Sequence, residues 1–415
     1  MKRNSILIKL LILILIGASC APKGVNTYRN FANAFDVNRK PAKPSIVMEN
    51  VSTDSVMVYA KFLRRDLVFS SSPGNPPQAW TRIVISILPS IESKMAIDSL
   101  VLEIGPEIKA NLPDTVVLKG KLFAPAGSSY IAVGEVKDLF TKRLQLFTEL
   151  INRSIYPSAT DFVLCKPNHL PCIESFALTG VPYRIGVSAS ASSICISKIR
   201  SQSSFPQPVF SNQPLALEQE LVDTSLYLRV DDGFSEVFRL DVPGIYKVTL
   251  NQNSLGGLYF ELRGKDGFYP LQPDEMAEGM RYITSDEEFA KLIYSHDKKT
   301  AIDSFWIATA GNPQRAMTLI KDYFSRVAES KTLFTGSIPG YRTDRGMIYI
   351  IWGKPTFVYR SSNTETWIYG EGSDNQVLKF DFSIIQQPNG EHGYQLNRSI
   401  VYREAWFNAV ESLRR

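Results

Sequence analysis

The sequence predicts a mainly β protein that ends in an α+β domain. Three observations carry this. Short runs of alternating apolar and polar residues recur between Gly, Pro and Asp turns over the first two thirds of the chain. Two capped helix starts follow, at Ser285 and at Asn312-Pro313. The chain then returns to period-two strands and closes on one amphipathic helix. Its 415 residues, 44% of them hydrophobic, suffice for two or three domains with their own cores.

Residues 1–19 pair a basic start (Lys2, Arg3, Lys9) with an apolar run and the small residues Gly17-Ala18-Ser19, directly ahead of Cys20. Such a stretch reads as a secretory signal, too short to span as a stable transmembrane helix. A Cys after small residues resembles a bacterial lipoprotein processing site, although Gly17 stands where such sites usually carry Leu. The resemblance implies acylation of Cys20 and a lipid anchor in the outer membrane. The competing reading is ordinary cleavage beside a stray Cys. Ala21-Pro22-Lys23-Gly24-Val25 holds no acidic export signal, so a periplasm-facing protein is expected. Taking Lys2, Arg3 and Lys9 off the formal +5 leaves +2, which does not indicate nucleic acid as a partner.

Residues 20–45, with Pro22, Gly24, Pro41 and Pro44, read as a tether, in which Tyr28, Phe31 and Phe35 could dock onto a folded domain. Residues 46–155 read as a β-sandwich-like domain, with strands over 55–62, 82–87, 116–122 and 129–136. A turn at Asp138–Arg143 precedes another strand. Residues 156–271 read as a second such domain. Its strands at 225–230 and 236–242 flank an Asp231-Asp232-Gly233 turn, and 244–250 and 257–263 follow. Cys165 and Cys172 bracket a loop with two prolines, a candidate disulfide in an oxidising compartment. Equally, they and Cys195 fit small buried hydrophobes. Their spacing, with His169, is not that of structural zinc.

Residues 272–415 form the α+β part. Ser285 and Glu288 make a capping box, and Pro313 at the first helical position follows an Asn312 cap. Strands are expected at 366–369, 378–384 and 394–396, with a Pro388-Asn389-Gly390 turn before the last, and Trp406 lies on the closing helix. Between helices and strands stands Gly340-Tyr341-Arg342-Thr343-Asp344-Arg345-Gly346, running into Met347–Trp352 and then Gly353 and Pro355. It reads as a loop, a tight turn and a strand covered on both faces. In that turn Asp344 accepts from the N–H groups just beyond it, and Gly346 takes positive φ.

GYRTDRGMIYIIWGKP resembles the signature of the GWxTD domain family, C-terminal domains of envelope lipoproteins in Bacteroidetes-type and related bacteria. Tyr341 replaces the Trp of the family name, while Thr343, Asp344, Arg345 and Gly346 match. Phe305-Trp306 and Asn312-Pro313 resemble the family's pattern ahead of the helix, with Asn312 for Asp. The resemblance implies location and architecture better than chemistry, and brings no established catalytic activity with it. The signature residues Gly340, Tyr341, Thr343, Asp344, Arg345 and Gly346 are therefore expected to be structural, with Arg345 stacked on Tyr341 or Trp367.

Asp344, Arg345 and Glu365 are the best charged cluster, but no nucleophile–base pair, phosphate loop, cofactor motif or metal-ligand spacing accompanies them. The expected function is a non-catalytic, outer-membrane-anchored lipoprotein serving as accessory or scaffold subunit of an envelope assembly. The alternative is a periplasmic module binding glycan or peptidoglycan.

Overall fold

Val56, Val58, Ala60 and Phe62 alternate along β2 (Ser55–Leu63), and each is at most 2% exposed. That alternation seats one face of the strand on a core. The computed structural model describes residues 29–71, 74, 77–105, 114–174, 176–201, 205–212, 220–265, 271–370, 377–387 and 391–415. The secretory segment 1–19, Cys20, Tyr28 and the Pro388-Asn389-Gly390 turn lie outside the described residues. The chain divides into two units, Met1–Asn30 and Phe31–Arg415.

Within the second unit, β1 (Ser45–Ser52), β2 and β5 (Thr115–Phe123) form one antiparallel sheet in the order β1-β2-β5. A second sheet joins β3 (Thr81–Leu88), β4 (Asp98–Ile104), β6 (Ser129–Asp138) and β7 (Leu144–Asn152) in the order β4-β3-β6-β7. Phe62, Ile83, Ile85, Tyr130 and Phe147 share the core between them. The turn before β7 is held by Asp138, which accepts from the Thr141 backbone and hydroxyl at 2.6 Å each.

The next strands hydrogen-bond as one eight-stranded sheet. They are β8 (Phe162–Cys165), β9 (Phe176–Leu178), β10 (Arg184–Val187), β11 (Ser193–Ser201), β12 (Glu220–Asp231), β13 (Phe234–Ser235), β14 (Gly244–Thr249) and β15 (Leu258–Arg263). Their order is β8-β10-β13-β12-β11-β14-β15-β9. Phe162 and Leu164 of β8 belong to one core with Ala177 of β9, so the two ends of the sheet close on a common interior as in a sandwich. Asp232 and Gly233 form the expected turn, with φ of 48° and 75°. The strand expected at 236–242 does not form: β13 ends at Ser235, and only an isolated bridge between Tyr183 and Phe238 follows. The Ser235 hydroxyl accepts from Ile185 N–H at 2.9 Å and donates to the Glu236 carbonyl at 2.8 Å, groups a continuing ladder would otherwise use.

The C-terminal part starts with α1 (Pro273–Gly279), α2 (Asp286–Tyr294), α3 (Lys298–Ala310), α4 (Pro313–Phe334) and α5 (Asp344–Trp352). An antiparallel meander follows, β16 (Phe357–Arg360), β17 (Thr364–Tyr369), β18 (Leu378–Gln386) and β19 (His392–Leu396), and α6 (Arg403–Arg414) closes it. Both expected caps are made. Ser285 Oγ accepts from Glu288 N–H at 3.2 Å, and Asn312 Oδ1 accepts from Arg315 N–H at 2.9 Å. Trp306, Tyr323, Met347, Ile350, Trp367 and Phe380 lie in the core.

Two distant segments enter that core. Ala32–Phe35 is a 3-10 turn, and the Phe35 ring lies 5.7 Å from Phe334 and 5.0 Å from Trp367. The stretch expected as a tether is thus docked from Phe31 onward, because two aromatic rings gain more by burial than the chain loses by ordering. Val209, fully buried, arrives from the segment between β11 and β12, and its carbonyl accepts from Ser399 N–H at 3.0 Å. Lys331 of α4, 9% exposed, bridges Glu261 of β15 and Glu275 of α1 at 2.7 Å each. The eight-stranded sheet and the C-terminal part are therefore tied together across residue 272.

Candidate functional site: the signature helix and an arginine-walled cleft

Met347–Trp352 is the last two thirds of α5, not a strand. A helix enclosed on every side shows no polar face, so its apolar run lacks the period that marks helices elsewhere. Thr343 is the N-cap: its Oγ1 accepts from Gly346 N–H at 2.9 Å and donates to the Gly340 carbonyl at 2.7 Å. Gly340–Arg342 is a 3-10 turn just ahead of it. The two glycines serve close approach rather than positive φ. A Cβ on Gly340 would meet the Ser330 carbonyl oxygen at 2.1 Å, and one on Gly346 would meet the Gly340 carbonyl oxygen at 1.9 Å. Gly353 ends the helix at φ 75°.

The polar groups of the signature turn inward onto other elements. Tyr341 is 1% exposed, and its hydroxyl donates to Glu278 Oε2 of α1 at 2.7 Å. The phenol supplies a donor where an indole would have supplied another. Arg342 Nε donates to the same oxygen at 3.1 Å. Asp344 does not bond the N–H groups just beyond it. Its Oδ2 accepts from Leu396 N–H of β19 at 2.7 Å, and both its oxygens accept from the Arg398 guanidinium, whose side chain is 7% exposed. Arg398 in turn donates to the Gln207 carbonyl at 3.1 Å and 3.2 Å. One carboxylate thus joins helix, meander and the inserted segment.

Arg345 points the other way. Its guanidinium lies over the Tyr394 ring at 3.4 Å and the Phe334 ring at 5.0 Å, not on Tyr341 or Trp367. Glu365, fully buried on β17, sits 3.6 Å from Arg345 Nη1 and accepts from Trp367 Nε1 at 2.8 Å. Its closest partner is Arg360 Nε, across the β16–β17 pair, and Arg360 also donates to the Thr148 hydroxyl of β7. Burial alone would push the Glu365 carboxyl up; Arg360, Arg345 and the indole N–H outweigh it and hold it below the usual carboxylate range. His392 is held below its ordinary value by burial and by the same two arginines. The structure therefore joins Arg345 to Glu365 as expected and sends Asp344 to a separate cluster.

Arg345, Arg360, His392, Tyr394 and Thr148 line one wall of a cleft of about 920 Å³. Its other walls come from the N-terminal turn, β6, β7 and the end of α4. Arg360 and Arg398, unmarked by any motif, are the residues that complete the two clusters. Arg360 ends a short aromatic strand before the Ser361–Asn363 turn, which is a hairpin signal; Arg398 has no local signal at all.

Cys165, Cys172 and Cys195 are buried free thiols, so the candidate disulfide is not formed. Burial pushes Cys165 up to about 12 and Cys172 up to about 11, which keeps both protonated. His169 stacks on Phe234 at 4.1 Å. Among the described residues no group of three or more His, Cys, Asp or Glu side chains is placed to hold a metal ion, and no helix is long and apolar enough to cross a membrane.

A comparison with curated proteins found no match. Among solved structures, a red sea bream transglutaminase is similar at 6% identity and a TM-score of 0.17, over 54% of this chain and 31% of that one. The BSP domain of a biofilm associated protein gives 10% and 0.17, over 54% and 52%. The chain thus spans about a third and about half of these two structures, at scores too low to relate the folds. Residues 244–415, from the first residue of β14 onward, match the family model of the GWxTD domain, a span that takes in Glu261, Lys331 and the whole signature helix.

Proposed function

We propose that the protein is a non-catalytic lipoprotein, anchored in the outer membrane through Cys20 and facing the periplasm. There it serves as an accessory or scaffold subunit of a cell-envelope assembly, in secretion, gliding or barrel insertion. One observation carries the scaffold reading. Tyr341 and Asp344 of the signature spend their polar groups on α1, β19 and Arg398, so these residues fix architecture, while Val101 of β4, Val117 of β5 and Tyr227 of β12 stay exposed on the sheets for partners. The basic, apolar and small residues ahead of Cys20 support the anchor.

Crosslinked pull-down from native membranes, with Cys20→Ser alongside, is the test. The wild-type chain should sediment with the outer membrane and bring down envelope proteins in fixed stoichiometry, and Cys20→Ser should leave that fraction. Full recovery of Cys20→Ser with the outer membrane would remove the anchor; a wild-type chain that brings down no partner would remove the scaffold.

A further inference from the structure

We propose that the cleft walled by Arg345, Arg360 and Tyr394 is a binding site for a ligand bearing a single carboxylate. The first argument is the state of Arg345. Its side chain is 15% exposed and its orientation is fixed by the Tyr394 and Phe334 rings. Yet among the described residues its terminal Nη groups donate no hydrogen bond and have Glu365 only as an ion-pair neighbour at 3.6 Å, while its Nε, also without a partner, is closed off from solvent. A guanidinium has five N–H donors in a planar fork that matches a carboxylate. Holding that fork in place with its donors unspent is how a protein prepares an anion site.

The second argument is charge. Two arginines converge on one carboxylate at this wall, and His392 beside them is kept neutral. Acids elsewhere in the cleft already have partners. Glu149 is paired with Lys43 at 2.6 Å, Glu174 with Lys61 at 2.6 Å and Asp36 with Lys354 at 2.8 Å, while Asp66 lies 3.9 Å from Arg65 and Glu391 is likewise engaged. What remains at the wall is the single excess positive charge of two arginines on one carboxylate, which matches one carboxylate and not a doubly charged phosphate. The third argument is size and lining. About 920 Å³ is the room of a small-molecule site, and the partly exposed Ile131, Leu150 and Ile384 give its lining apolar surface. The ligand would therefore carry one carboxylate on a partly apolar body, whether the end of a peptide or a sugar acid.

Calorimetric titration of the full chain tests this, with four probes: acetyl-alanyl-alanine, its C-terminal amide, glucuronate and inorganic phosphate. At least one carboxylate should bind, and which one separates the two sources. Where the peptide binds, its amide should be weaker by about tenfold or more. Arg345→Gln should weaken the carboxylate by a similar factor. Should that variant fail to fold, Ile384→Trp fills the cleft with the arginines unchanged and should block the same probe. The proposal is overturned if neither carboxylate binds at millimolar concentration, if peptide and amide bind alike, if phosphate binds more tightly than both carboxylates, or if Ile384→Trp leaves binding intact.

Discussion

A methyl group placed on Gly346 would sit 1.9 Å from the Gly340 carbonyl oxygen, which is backbone and is held by the Thr343 hydroxyl. Neither atom can move without undoing the N-cap of α5. Gly346→Ala should therefore cost at least about 1–3 kcal/mol, read as a lower thermal midpoint of the chain. Asp344→Ala should cost more, about 3–5 kcal/mol, because it leaves Arg398 charged and enclosed. Replacing both, Asp344→Ala with Arg398→Met, should recover part of that loss; a double variant as unstable as the sum of its parts would show that the two side chains do not act together. These outcomes rest on contacts between residues far apart in the chain. From the sequence, Asp344 looks like a turn residue and Gly346 like a positive-φ glycine, since local rules know nothing of β19 or of the 3-10 turn pressed against the helix.

Elements with one wet face were legible for a plain physical reason. β2 alternates because only one of its faces is fully buried, and Ser285 and Asn312 cap helices whose first turns are exposed. The failures lie where water is missing from all sides. Met347–Ile351 is buried all round, so its composition carried no period, and the Thr343 cap followed by Asp344 was the surviving helix signal. The docking of Phe31 and Phe35 was legible as aromatic rings in a Pro-containing stretch, whereas the Ala32–Phe35 turn itself, at four residues, is too short for any pattern. Its weight in the fold can be measured. Phe35 is 4% exposed, so Phe35→Ala should destabilise the chain by about 3–5 kcal/mol. It should also make residues 36–44 more readily cut in limited proteolysis. A variant that melts like the parent would show that the turn merely rests on the domain.

At the scale of the whole molecule, the Arg360–Glu365 pair links the meander to β7 of the first sandwich, and its protonation should show in overall stability. Glu365 has a lowered folded value, so its contribution is full above about pH 4.3 and is lost as the pH falls through that lower value. His392 is also lowered, so the unfolded chain takes up the proton first. Stability then rises with pH from the folded value to about 6.5 and is level above it. Glu261 and Glu288, both lowered, act in the same sense as Glu365. A melting profile should climb out of acid to a plateau, and His392→Gln should remove the upper part of the climb while leaving the lower; an unchanged profile would exclude His392 as its source. The docking of Phe35 also decides how the molecule carries tension. A pull applied at Phe31 is taken up by rings and hydrogen bonds of the C-terminal part, since Phe31 N–H bonds the Val358 carbonyl at 2.9 Å and the Phe35 carbonyl lies 3.2 Å from the Tyr349 hydroxyl, 314 positions further along. Both sandwich-like regions hang in the loop between those points. They remain slack while the clasp holds, and traction reaches β1 once Phe35 has slipped from between Phe334 and Trp367.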